Sequence, residues 1–185
     1  MKKVTLLGDS IRLIGYGQTV EENLKKDFIV WQPDDNCRFA QYTLRGLWEW
    51  APYIEGSDII HWNNGHWDLC ELYGDGTFTD IEDYVKIMSR LADLLLKRCK
   101  KLIFATTTPI IEGYPYNRNS VVNEFNAAVV PVLQAKGVII NDLHTLLKDE
   151  VNKYIGEDML HLTEDGIAVC VAQVEKVIRE VAAEL

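Results

Sequence analysis

The 185-residue chain has no basic tract: its 19 Lys and Arg are outnumbered by 28 Asp and Glu, for a formal net charge of −9. A surface of that sign repels phosphate backbones and acidic lipid, which argues against nucleic-acid or anionic-membrane partners. Cysteine is sparse and scattered. Cys37, Cys70, Cys99 and Cys170 form no CxxC pair and have no histidine at ligand spacing. They read as reduced, packed thiols, and no metal site is expected. No apolar run is long enough to cross a bilayer, and the first is broken by Gly-Asp-Ser too early for a signal peptide; a cytoplasmic protein is the expectation. Repeats, low-complexity segments and linkers are missing, so one domain spanning 1–185 is expected. After the first strand there is no cluster of Gly, Ser and Thr to cradle a phosphate. That counts against a flavin- or nucleotide-binding module, and no cofactor is expected.

What the chain does have is alternation. Short apolar runs at Val4–Leu7, Phe28–Trp31, Ser57–Trp62, Leu102–Thr106 and Val138–Asn141 read as buried strands. Between them lie helical patterns at Ile11–Lys26, Ala40–Trp50, a segment opened by Thr79 as N-cap with Glu82 in a capping box, and Ser120–Gln134, with Glu164–Glu184 closing the chain. The Gly15-Tyr16-Gly17 break makes the first half of the first helix suspect. In the second, Leu44, Leu47 and Trp48 are taken as the apolar side. Strands that are apolar throughout and alternate with helices predict a three-layer α/β/α fold with about five parallel strands. Candidate functional residues then fall on loops at the carboxyl edge of the sheet, where open α/β folds bind ligands.

Val4-Thr5-Leu6-Leu7-Gly8-Asp9-Ser10 is the key stretch. Gly8 permits a tight turn, possible positive φ included, that throws Ser10 onto that edge at the start of a helix. A lone serine there is ordinarily a cap. Far along the chain, however, Asp158-Met159-Leu160-His161 supplies an acid and an imidazole three residues apart. A serine hydroxyl becomes a nucleophile when a base takes its proton and a carboxylate orients that base.

With Gly8-Asp9-Ser10 at the first strand and Asp158-x-x-His161 before the last helix, the chain resembles the SGNH (GDSL) esterase superfamily over essentially its whole length. The resemblance implies a flavodoxin-like strand order 2-1-3-4-5. It also implies hydrolysis of a small acyl ester through an acyl-serine, with Ser10 as nucleophile, His161 as base and Asp158 as its orienting acid. An oxyanion hole is implied from the Ser10 backbone N–H, a backbone N–H after strand two, and an asparagine after strand three. Gln41 stands where a glycine is usual in the second block. In the third, the usual Gly-x-Asn-Asp is absent, and Trp67 takes the ungapped asparagine position. Asn63-Asn64-Gly65-His66-Trp67 instead resembles the Asn-x-Gly-x-Trp block of the PC-esterase branch, which implies Asn63 as donor and Asn64 as alternate. The simpler alternative is that both asparagines form Asx turns.

Of the remaining histidines, His61 is expected in the core and His144 at the start of a short helix that Asp142 caps. His66 and Trp67 are candidate substrate contacts, and the aromatics Trp62, Tyr73, Tyr114 and Tyr116 crowd the same loops. The expected partner is a small-molecule ester, an acetylated sugar among the options. Alternatives are an O-acyltransferase working through the same acyl-serine and a catalytically inactive binding member of the fold.

Overall fold

A computed structural model describes all 185 residues. Five strands form one sheet: β1 (Lys2–Leu7), β2 (Phe28–Trp31), β3 (Ser57–Trp62), β4 (Cys99–Ala105) and β5 (Ile139–Asn141). All pairs are parallel, in the order β2-β1-β3-β4-β5. The connecting helices are α1 (Gly17–Leu24), α2 (Ala40–Ile54), α3 (Ile81–Leu96), α4 (Asn119–Gln134), α5 (Leu143–Leu147), α6 (Val151–Tyr154) and α7 (Glu164–Ala183). No helix is long and apolar enough to cross a membrane.

Both faces of the sheet are buried because successive strand residues point to opposite sides and both sets are apolar. Val4, Leu6, Ile59 and Ile103 pack under α1, α5 and α7. Leu7, Ile60, Trp62, Leu102 and Phe104 pack under α2, α3 and α4. The three-layer architecture and strand order therefore match the sequence expectation.

Several local expectations are corrected. The segment after Ser10 is not one α-helix: Ile11–Tyr16 is a π-helical turn, broken by non-helical dihedrals at Gly15, and α1 begins at Gly17. Helix α2 runs past Trp50 to Ile54 with Pro52 in its last turn. Its inward stripe is Thr43, Leu47, Trp50 and Ile54, spaced by three and four, which rotates Trp48 outward to 80% exposure. Thr79 is not the cap of α3. Asp80 holds that position without a side-chain bond, and the Thr79 hydroxyl donates to Asp68 Oδ1 instead (3.0 Å). β4 begins at Cys99, three residues ahead of the apolar run at Leu102 expected as that strand.

The strand order reverses between β1 and β3, whose neighbours lie on opposite sides. The crevice outside their carboxyl ends is where this fold class places ligands. Backbone pairing continues into it: Asn63 N–H donates to Leu7 C=O and Cys37 N–H to Gly8 C=O (both 3.1 Å). The loops after β1, β2 and β3 are thereby brought together.

Candidate active site

Gly8 is buried at this junction, and its φ is not positive. Its requirement is space: a Cβ would overlap the Asn63 side-chain oxygen and press on Arg12. Asp9 folds back so that its Oδ1 accepts the Ile11 N–H (3.0 Å), which starts the π-helical turn. Ser10 is left in helical dihedrals with no capping bond to the turn. Its Oγ lies 2.9 Å from His161 Nε2 instead.

The imidazole comes from a short loop closed on itself. Ile155 and Leu162 form an antiparallel bridge, and Gly156 N–H donates to His161 C=O (2.7 Å). Inside that loop Asp158 Oδ1 accepts the N–H groups of Leu160 (3.0 Å) and His161 (2.9 Å), while Oδ2 lies 2.6 Å from His161 Nδ1. Partial burial pushes the Asp158 carboxyl upward, but those two N–H donors and the imidazole outweigh it and hold it below the ordinary value. An ionised carboxylate only accepts hydrogen bonds, so Nδ1 carries the proton and Nε2 is free to accept from the Ser10 hydroxyl. Residues 151 positions apart in sequence meet here, in the geometry that activates a serine.

Across from this relay, Asn63 is only 5% exposed. Its Nδ2 donates to Asp9 Oδ1 (2.8 Å) and its Oδ1 accepts from the Tyr16 hydroxyl (3.1 Å). One Nδ2 hydrogen has no assigned partner. Asn64 is turned the other way: its Oδ1 accepts from Trp62 Nε1 (2.6 Å) and Thr43 Oγ1 (3.0 Å), and its Nδ2 donates to Arg38 C=O (2.7 Å). The Ser10 and Gln41 N–H groups donate to no group of the protein. Gln41 is exposed in the first turn of α2, and the residue of its loop that abuts Gly8 is Cys37, through both Gly8 N–H to Sγ (3.2 Å) and its own N–H. Buried Arg12 ties that loop down by donating to the carbonyls of Gly8, Pro33 and Asp35. Arg38, at φ +48°, is where this loop adopts the backbone that favours glycine.

His66 and Trp67 line a cavity of about 220 Å³ that opens beside His161, together with Leu72, Tyr114, Tyr116 and Leu160. Asn117 Nδ2 lies 3.4 Å from His66 Nδ1 and Thr108 Oγ1 2.9 Å from Nε2. Burial, helped by the charges of His161 and His144, pushes the His66 imidazole down to about 3, so it stays neutral. His61 is fully buried and bonded to Asn141, away from this cavity, and Asp142 caps α5 by accepting Thr145 N–H (3.1 Å). No group of three or more His, Cys, Asp or Glu side chains is arranged to hold a metal. A larger open depression, about 740 Å³, lies at the opposite, amino-terminal edge of the sheet. Its charges pair among themselves, Lys100 with Asp58 and Arg179 with Asp27 (both 2.7 Å), and none belongs to the relay.

Tyr16, Asp9 and Cys37 were not singled out by the sequence as parts of the site. The one signal for Tyr16 was the glycine on either side of it, which spoils a helix without saying why.

The fold recurs among solved structures. A lipase/acylhydrolase from Enterococcus faecalis superimposes with a TM-score of 0.80 at 18% identity, covering 97% of this chain and 96% of that one. An acetyl xylan esterase, AlAXEase, gives 0.79 at 18% identity over 95% and 99%. An acetylxylan esterase from Geobacillus stearothermophilus gives 0.76 at 14% identity over 97% and 94%. At these identities the likeness is one of fold. No family model and no curated protein sequence matches the chain.

Proposed function

We propose that the protein is a serine esterase of the SGNH type that hydrolyses a small acyl ester, with acetyl on a sugar hydroxyl as the favoured substrate. The observation that carries this is the Ser10–His161–Asp158 relay, at 2.9 and 2.6 Å, standing at the switch point of the sheet. In this reading His161 Nε2 takes the Ser10 proton as Oγ attacks the ester carbonyl, and Asp158 stabilises the imidazolium. The tetrahedral oxyanion is met by donors not already spent: the Ser10 N–H, the Gln41 N–H and the second Nδ2 hydrogen of Asn63. Asn64 is the weaker choice, since its amide faces Trp62, Thr43 and Arg38, whereas that of Asn63 is bonded to Asp9, the neighbour of Ser10. Collapse of the intermediate returns the proton from His161 to the leaving oxygen, and water then repeats the sequence on the acyl-serine.

Because His161 protonates the leaving group, the alcohol must lie on its side of the site. The cavity beside it is below the roughly 300–1,000 Å³ that holds a drug-sized ligand, which suits one small ring. Trp67 and Tyr116 offer half-exposed aromatic faces to the apolar face of such a ring. Two of the fold relatives bear acetyl xylan esterase names, which agrees with an acetylated carbohydrate.

The test is covalent. A fluorophosphonate probe is expected to add once to the chain, on the peptide holding Ser10, and Ser10→Ala is expected to abolish both labelling and acetate release. Labelling elsewhere, or an active Ser10→Ala, overturns the reading. Transfer of the acetyl group to added sugar, in place of acetate release, would favour the acyltransferase.

A further inference from the structure

The π-helical turn Ile11–Tyr16 ends on a residue buried behind Asn63. Tyr16 is fully buried, stands edge-on to His61 (5.7 Å between rings, 87°) and donates its hydroxyl to Asn63 Oδ1. The break at Gly15 and the close fit of Gly17 put it there. A Cβ on Gly17 would come within 2.6 Å of both Arg12 C=O and Gln32 Oε1, so the chain is packed tightly on the far side of Tyr16 as well. Isolated π turns are frequent at functional sites.

A carboxamide is nearly symmetric in shape, and its two ends are distinguished only by what they bond to. Here one end meets a donor, Tyr16, and the other an acceptor, Asp9. Between them they fix which end of Asn63 is nitrogen and the plane in which its unused hydrogen lies. Burial, reinforced by the charge of Asp9, raises the Tyr16 hydroxyl well above its ordinary range and keeps it a donor. Donation to Oδ1 also polarises the amide and strengthens its N–H.

We propose that Tyr16 is a positioning residue for acyl transfer: its hydroxyl holds the Asn63 carboxamide so that the second Nδ2 hydrogen faces the developing oxyanion. This rests on the esterase reading above. A core tyrosine with no such role would affect stability alone. Tyr16→Phe keeps the ring and removes the donor. On an acetyl ester it is expected to lower kcat about tenfold with KM within twofold. In an Asn63→Ala background it is expected to cost nothing further, because the group it positions is gone. Should the phenylalanine variant fail to fold, Tyr16→Met, apolar and of similar reach, carries the same comparison. Additive losses in the double variant, or a fall in melting temperature with kcat unchanged, overturn the proposal and leave the esterase standing. A wild-type chain that neither cleaves acetyl esters nor takes a fluorophosphonate at Ser10 removes the esterase and this proposal together.

Discussion

The two halves of the candidate site are built by opposite means. The acid–base pair of the relay is short-range and wet: Asp158 and His161 are three residues apart in one loop, with side chains 55% and 31% exposed. The donor half is long-range and dry. Asn63 reaches Asp9 across 54 residues and Tyr16 across 47, all three buried. Exposure suits a group that must gain and release a proton and admit water. Burial suits a dipole that must not reorganise as charge develops.

The comparison predicts a hierarchy of effects. Asp158→Asn strikes the wet half by replacing an acceptor-only group with one that can present a donor to Nδ1. A loss in kcat of about 10²- to 10⁴-fold is expected in steady-state kinetics, with the fold intact. A loss under tenfold would mean that the loop's backbone bonds alone orient the imidazole.

In the dry half, Asn63→Ala is expected to cost about 10²- to 10³-fold in kcat with KM little changed. Asn64→Ala should spare most of kcat and appear in stability, about 1–3 kcal/mol by denaturant unfolding, because the buried Trp62 indole N–H loses its acceptor. A larger kcat loss at Asn64 reverses the assignment of the donor.

A pH effect on stability sharpens the contrast of burial. Asp68 accepts Ala40 N–H at both oxygens (3.1 and 2.9 Å) and so anchors the start of α2, which carries Gln41. Burial pushes its carboxyl up to about 7, only partly offset by the Ala40 and Thr79 bonds. Between pH 4 and 7 the folded chain therefore holds a proton that the unfolded chain releases. Stability from this group is greatest below pH 4 and is lost as pH rises through 7, at about 1 kcal/mol per pH unit. Asp68→Asn is expected to flatten that slope in thermal melts across pH 4–8. An unchanged slope would mean that Asp68 ionises as freely in the fold as in the unfolded chain.

How much was legible in the sequence follows the same division. Layering could be read because each strand carries an apolar run set between helical patterns, while the strand order followed only from the resemblance carried by Gly8-Asp9-Ser10 and Asp158-x-x-His161. Asp158 and His161 could be read because they are neighbours in the chain. Trp48 was misplaced because an apolar residue one step off the buried stripe looks like a member of it until the helix's rotation is known. The expected capping box failed because Thr79 has a better partner in Asp68, 11 residues back, which no local pattern reveals. Tyr16 was invisible as a site residue for the same reason: its partner lies in the loop after β3, 47 residues on.

The loop from Ile155 to Leu162 carries both Asp158 and His161. Its bridge and its internal bonds make base and orienting acid a single cassette, seated beside Ser10 through His161. Its Met159 C=O also accepts Ile111 N–H (3.0 Å), which ties the segment to the loop after β4. Loss of this segment would take acid and base together and leave Ser10 without either. The buried Asn63 amide and the Tyr16 hydroxyl bonded to it make no hydrogen bond to this segment, so on the proposed reading acid and base are replaceable by exchange of one loop.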